Sequence, residues 1–181
     1  MSLHYEITLS FTSNQSSLCY LLVLNKTTLK NLVSQEHRNK SAKSGHKPAV
    51  VFFQALLSQN VYISSSQTVI FDAIVTNFGN AYNPNTGEFT APYGGVYYFT
   101  SSFLKALGSP NLGLVLVSRR NTLAQGYAAS GGDHSPGSMS AVVYLKKGDT
   151  VKVIHHAGFG AQTIRGDSWS AFTGYLITKT E

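Results

Sequence analysis

The sequence predicts an all-β sandwich over residues 47–181, and three observations lead to this prediction. Tyrosine and phenylalanine occur ten times each and glycine sixteen times, whereas only 12% of the residues are charged. Short apolar runs recur along this part of the chain. Clusters of Gly, Pro, Asn and Asp separate the runs, and no helix-period segment of ten residues lies between them. These features together are typical of β-strands joined by tight turns.

Seven apolar or alternating runs are the predicted strands. In chain order they are Val50–Leu57, Thr68–Val75, Gly95–Phe103, Leu112–Val117, Ala141–Leu145, Val151–His155 and Phe172–Thr178. Turn-forming clusters lie at 83–87, 91–95, 108–111, 131–133 and 147–149. Regular punctuation of this kind favours a sandwich or jelly roll.

The third predicted strand is apolar on both faces. Tyr97 and Phe99 alternate with Val96 and Tyr98, so that one pair is expected to face the core and the other a neighbour or solvent. A strand with two apolar faces in a small sandwich suggests a buried subunit interface.

Residues 1–46 differ in composition from the predicted domain. Their one apolar run, Leu18–Leu24, has seven residues, which is too few to span a membrane. Three interpretations stay open: the apolar part of a signal peptide, a short helical stalk, or an appendage without a core. The only cysteine, Cys19, lies in this segment, so cysteine usage leaves the cellular compartment open.

Positive charge is spread thinly along the chain. The net charge is +6, and the sequence after His46 contains nine basic and six acidic residues. Nucleic-acid binding would require a denser basic face, so it is not expected. The pairs Arg119-Arg120 and Lys146-Lys147 are either solvated turns or contacts for an acidic sugar or a lipid headgroup.

Many residues from about position 47 onward follow one another in an order and spacing typical of a known family. The central ones are Phe71-Asp72, Asn77, Tyr82, Gly87–Pro92, Gly95, Tyr97 and Phe99. Further positions of this pattern are Phe53–Ala55, Ser140–Val142, Leu145, Gly148-Asp149, Val151 and Phe172–Ile177. In these residues the chain resembles the globular head domain of complement component C1q, a jelly roll of the tumour-necrosis-factor type. Gly87 is expected at a turn with positive φ.

The resemblance implies a ten-stranded jelly roll that forms a homotrimer through the sheet of the first and last strands. Residues for the core or the trimer axis are Phe53, Tyr97, Phe103, Tyr175 and Ile177. The single-domain form implies a secreted, lectin-like pattern-recognition protein of the invertebrate type that binds glycans or lipopolysaccharide. A cytokine-like ligand of a protein receptor and a structural or matrix trimerisation module are the alternatives.

The sequence offers no constellation for catalysis. Gly-x-Ser-x-Gly and phosphate-binding loops are absent, so an enzyme is not expected. His155 and His156 are neighbours on a predicted strand and point to opposite faces, which disfavours a shared metal. No cofactor is required, and the resemblance assigns Asp133 alone as a weak calcium ligand.

Two polar clusters are the predicted ligand-binding residues. One, on a loop before the last strand, contains the only tryptophan: Arg165, Asp167 and Trp169. The other lies on a predicted hairpin: Arg119, Arg120 and Asn121. A sugar stacks on an aromatic ring and bonds to polar side chains, and loops on a rigid sandwich commonly carry such sites. Trp169 has two interpretations, a sugar platform or a cap on the core.

Overall fold

The protein is described here by a computed structural model that covers residues 49–119, 121–129 and 134–180. The predicted tail of residues 1–46, Arg120 and Asp133 therefore lie outside the described residues. Within them the chain forms twelve strands: β1 Phe52–Leu56, β2 Val61–Ile63, β3 Ala73–Phe78, β4 Tyr82–Asn83, β5 Glu88–Thr90, β6 Gly95–Lys105, β7 Leu112–Ser118, β8 Asn121–Ala128, β9 Ser135–Leu145, β10 Thr150–His155, β11 Gln162–Ile164 and β12 Ala171–Lys179.

The strands form two antiparallel sheets that pack face to face. Sheet A has the order β2-β11-β6-β12-β1-β3, and β9 pairs with the other side of β6. Sheet B has the order β4-β5-β10-β7-β8. The first strand, β1, pairs with the last, β12, so strands that are distant in sequence are neighbours in this sheet. This all-β jelly roll confirms the predicted fold class.

The number of strands exceeds the ten that the resemblance implied. Strands β2, β4, β5 and β11 contain only two or three residues each. Segments this short have too few residues to show alternation, so the sequence pattern did not predict them. No run was predicted for the eight-residue β8 either, and the run predicted over Thr68–Val75 overlaps β3 only at residues 73–75.

The core between the sheets is aromatic. The ring of Phe53 stacks on Tyr82 with 4.6 Å between centroids and meets Phe172 edge-on at 4.9 Å. Such pairs add about 0.5–1.5 kcal/mol each to the stability gained from burying their apolar surface. On β6, Tyr97 and Phe99 face this core, which confirms the predicted alternation and shows which of the two pairs is the buried one.

The five residues predicted for the core or the trimer axis divide into two groups. Phe53, Tyr97 and Phe103 are buried in the core, whereas Tyr175 and Ile177 lie on the outer face of sheet A, about half exposed. The two groups arise because successive side chains on a strand point to opposite faces of the sheet. In β12 the pairing register with β6 also shifts between Leu176 and Thr178.

The turn at Gly87 has the predicted positive φ, +72°. A Cβ atom there would lie 2.7 Å from the carbonyl oxygen of Val69, so a side chain has neither the conformation nor the space it needs.

Candidate functional site

The two sequence-predicted clusters lie at opposite ends of the sandwich. Arg119 and Asn121 are at the turn that joins β7 to β8, next to the turn before β10. Arg165, Asp167 and Trp169 are in the loop between β11 and β12, where β1 ends. The structure therefore separates the two clusters, and they do not form one site within a chain.

The first end is here called the basic end. Among the described residues it carries four exposed cations on its turns and on the last strand: Arg119, Lys146, Lys147 and Lys179. The guanidinium of Arg119 donates to Asp149, although the Arg119 side chain is 67% exposed. Lys179 lies over the ring of Tyr93, with 5.1 Å from Nζ to the centroid. Asn121 is exposed beside Arg119.

Asp149 organises the turn at the basic end. Its Oδ2 accepts from the amide of Lys146 at 2.9 Å, and its carbonyl oxygen accepts from the amide of Ala91 at 2.8 Å. The bond from the Lys146 amide holds the pKa of Asp149 below its ordinary value, and the Arg119 side chain adds to the same effect. The carboxylate is thus committed to the turn and to Arg119.

The second end, here called the tryptophan end, presents Trp169 to solvent. The Trp169 side chain is 63% exposed, so of its two interpretations the cap on the core is wrong. A guanidinium nitrogen of Arg165 lies 3.0 Å from Oδ2 of Asp167 in the same loop. The same loop therefore carries an exposed indole and a charged pair.

Backbone hydrogen bonds fix this loop to the end of β1. The amides of Asp167 and Ser168 donate to the carbonyl oxygens of Ser58 and Leu57, at 3.2 and 3.0 Å. Asp167 and Ser168 both have positive φ, +50° and +67°. Two consecutive non-glycine residues in this region cost on the order of 1 kcal/mol each, and such strain is concentrated at functional sites.

Two further residues keep the loop in place. Ser170, fully buried, donates to the carbonyl oxygen of Arg165 at 2.7 Å and accepts from the amide of Leu104 at 3.1 Å. A Cβ atom on Gly166 would lie 2.0 Å from the carbonyl carbon of Gln59, so only glycine allows these two backbone segments to approach this closely. The exposed Trp169 thus stands on a preorganised backbone.

Next to this loop lies an open groove of about 710 Å³ that the sequence did not reveal. Polar side chains and one exposed tyrosine line it, among them Ser58, Gln59, Asn60, Tyr62, Gln67 and Asp72. The sequence had assigned Asp72 to the fold alone. Since the groove forms only when the β1–β2 loop meets the segment before β3, no local motif could have predicted it.

Asp72 is the charged residue of the groove lining. The side chain and the amide of Ser58 donate to its two carboxylate oxygens, the amide at 3.0 Å. Desolvation acts to raise the pKa of Asp72, but the two bonds from Ser58 outweigh it, so the net pKa lies below its ordinary value. The groove therefore carries a negative charge at neutral pH.

The outer face of sheet A carries an apolar row across five strands. Cross-strand register places its members side by side in the order Phe78, Phe52, Tyr175, Tyr98 and Val142. Phe52 stacks on Phe78 at 5.4 Å, and Tyr98 contacts Tyr175 at 5.3 Å. Val142 is 64% exposed. This row contains one of the predicted trimer residues, Tyr175, and Ile177 lies farther along the same strand.

In the described residues no group of three or more His, Cys, Asp or Glu side chains is arranged to hold a metal ion. His155 is fully buried, with its Nε2 atom 2.8 Å from the Gln162 oxygen, and His156 is partly exposed. The two histidines therefore differ in burial as their adjacency predicted. No helix among these residues has the length and hydropathy of a membrane span.

A two-sheet antiparallel jelly roll of this kind is shared by C1q-type and tumour-necrosis-factor-type head domains. The chain matches the C1q domain family over residues 51–177, and it belongs to this family. It is 33% identical over 134 residues to complement C1q tumor necrosis factor-related protein 3 of Mus musculus. The aligned region covers 72% of this chain and 52% of that protein.

Two further likenesses agree with this family. The chain is 35% identical over 114 residues to caprin-2 of Danio rerio, which covers 61% of this chain but only 12% of that protein. The solved globular domain of zebrafish complement 1qA superposes with a TM-score of 0.61 at 25% identity, over 72% of this chain and 99% of that domain. The chain thus spans about half or less of the curated relatives named here.

Proposed function

We propose that this chain is a trimeric, extracellular recognition protein that binds microbial or cell-surface glycans, lipopolysaccharide included, at the tryptophan end. The observation that carries the proposal is that one loop holds both the exposed Trp169 and the Arg165–Asp167 ion pair. A sugar presents an apolar C–H face that stacks on an indole, and hydroxyls that bond to charged side chains.

The fixed backbone supports this function. Because hydrogen bonds to Leu57 and Ser58 already order the loop, binding would not have to order it, and the entropic cost of association is smaller. The basic end, with Arg119 and Asn121, is a second contact for the anionic groups of a lipopolysaccharide or an acidic glycan.

The apolar row on sheet A supports the trimer. C1q-family members form trimers, and an exposed row of aromatic and aliphatic side chains marks a protein interface. In a trimer each tryptophan end would be present three times, which raises the avidity for repeated glycans on a surface. We place the trimer in the extracellular space because of the family resemblance.

The test is a glycan and lipopolysaccharide array probed with the full chain, in calcium and in chelator, with its mass measured by light scattering. We expect a trimer that binds sugars and loses at least about ten-fold in affinity on Trp169→Ala, since an indole stack contributes roughly 1.4 kcal/mol or more. Leu107→Ala is the matched control, because Leu107 is also exposed at this end.

The other outcomes would assign a different function. A trimer that leaves every glycan unbound but captures one membrane receptor would replace the lectin by a cytokine-like ligand. A trimer inert in both assays would leave a structural trimerisation module. Binding that requires calcium would direct attention to Asp133.

A further inference from the structure

The open groove beside the Trp169 loop has the chemistry of a sugar subsite. It combines an exposed aromatic ring, Tyr62 at 73% exposure, with the amides of Gln59, Asn60 and Gln67 and the carboxylate of Asp72. Its volume of about 710 Å³ is within the usual range for small-molecule sites. We propose that this groove is a second subsite, which takes an uncharged sugar residue of the glycan stacked on Tyr62.

The groove and the Trp169 loop are joined rigidly. Asn60 Oδ1 accepts from the amide of Gly166 at 2.9 Å, three residues before Trp169. Tyr62 pairs with Thr163 in the ladder between β2 and β11, and this ladder leads directly into the loop. Binding at the groove and at the Trp169 loop therefore needs no change in the backbone that joins them. In this respect the subsite rests on the function proposed above.

The polar groups of the groove are only partly used by the protein. The oxygen of the Gln67 amide accepts from the amide and the hydroxyl of Ser64, at 2.8 and 3.0 Å, which fixes the side chain and leaves its NH2 group as a donor. Among the described residues, Gln59 makes no side-chain hydrogen bond. Donors and acceptors of this kind match the alternating roles of sugar hydroxyls.

The charge of the groove selects against anions. Of the residues that line it, Asp72 alone is charged, and Ser58 holds it in place with two hydrogen bonds. A carboxylate repels sialic acid, uronic acids and phosphorylated sugars, while it accepts hydrogen bonds from neutral hydroxyls. The four exposed cations of the basic end lie at the opposite end of the sandwich, so anionic groups are favoured there instead.

Calorimetric titration of the chain in its native oligomeric state tests the subsite. The neutral probes are chitotriose, mannotriose and galactotriose, and the anionic probe is a heparin-derived hexasaccharide. We expect at least one neutral probe to bind. Tyr62→Ala should lower the affinity for this probe about ten-fold, and Gln59→Ala should lower it about three-fold. Tyr62→Phe should retain most of the affinity, because the ring and not the hydroxyl makes the stack. Tyr127→Ala is the control, since Tyr127 is a half-exposed tyrosine on sheet B.

Each outcome separates the subsite from the lectin function. If a neutral probe binds and Trp169→Ala abolishes binding, but Tyr62→Ala and Gln59→Ala do not change it, the subsite is wrong and the lectin function stands. If only the heparin hexasaccharide binds, the subsite is again wrong. If no probe binds, and the array is also blank, both proposals fall. Perturbation of the side-chain NH2 resonances of Gln59 and Gln67 by the neutral probe would locate the sugar in the groove.

Discussion

The two ends of the sandwich use their polar residues in different ways. At the tryptophan end, Ser170 and Asn60 bond to backbone groups and fix the Trp169 loop, so the exposed ring rests on a rigid support. At the basic end, Asp149 fixes the turn before β10, but the cations lie on exposed side chains, as in the Arg119–Asp149 pair and in Lys179 over Tyr93. If both ends bind ligands, we expect shape to govern recognition at the first end and long-range electrostatics, which salt screens, to govern it at the second.

The largest effect is expected for Gly166→Ala, which tests the rigid support directly. The new Cβ atom would lie 2.0 Å from the backbone of Gln59, which cannot rotate away as a side chain can. We expect a loss of about 3 kcal/mol in the free energy of unfolding, measured by urea denaturation. Gly160→Ala is the control, because a Cβ atom there meets nothing within 4 Å. Equal stability of the two variants would contradict the close approach.

Removal of one buried hydroxyl should have the next largest effect. Ser170→Ala leaves the carbonyl oxygen of Arg165 and the amide of Leu104 without this partner. We expect destabilisation of about 1–3 kcal/mol in the same assay, together with faster hydrogen exchange at the Leu104 amide. The exposed Ser102 supplies the control, Ser102→Ala, which should change stability by less than about 0.5 kcal/mol. A neutral Ser170→Ala would mean that the loop does not depend on this bridge.

Acid should lower the free energy of unfolding through two carboxylates, Asp72 in the groove beside the tryptophan end and Asp149 at the basic end. Each has a folded-state pKa below the ordinary 3.8, so each stabilises the fold above pH 3.8, and this contribution is lost as the pH falls through the folded-state pKa. We expect Asp72→Asn and Asp149→Asn each to reduce the slope of unfolding free energy against pH below 3.8, by less than one proton. Slopes identical to that of the wild type would show that neither carboxylate is bonded in solution.

The smallest effect on stability is expected for Arg119→Ala. The Arg119 side chain is 67% exposed, and solvent screens its ion pair with Asp149. The free energy of unfolding should therefore change by no more than about 0.5 kcal/mol. Binding of the heparin-derived hexasaccharide should weaken, and its dependence on salt should become less steep. A large loss of stability would contradict the contrast between the two ends.

Sequence reasoning identified most of the fold and only part of the candidate site. The alternation of Tyr97 and Phe99 with Val96 and Tyr98 predicted that one of these pairs faces the core, because side chains on a strand alternate between the faces of the sheet, and the structure shows that it is Tyr97 and Phe99. The short strands and the longer β8 were not among the predicted runs. Of the site, the sequence identified Trp169 from composition and loop position. It did not identify Tyr62 or Gln59, because an exposed tyrosine near Gln and Asn carries no distinctive motif.

Binary pattern, turn residues and family motifs in the sequence by themselves determined an all-β jelly roll of the C1q domain family. These signals are local, since each depends on neighbours within a strand or a turn. Only the tertiary structure decided that Tyr175 faces outward while Phe53 is in the core, and that Arg119 and Trp169 lie at opposite ends. It also brought Gln59 against Gly166, residues far apart in the chain. Such contacts depend on the pairing of distant strands, which a linear sequence does not display.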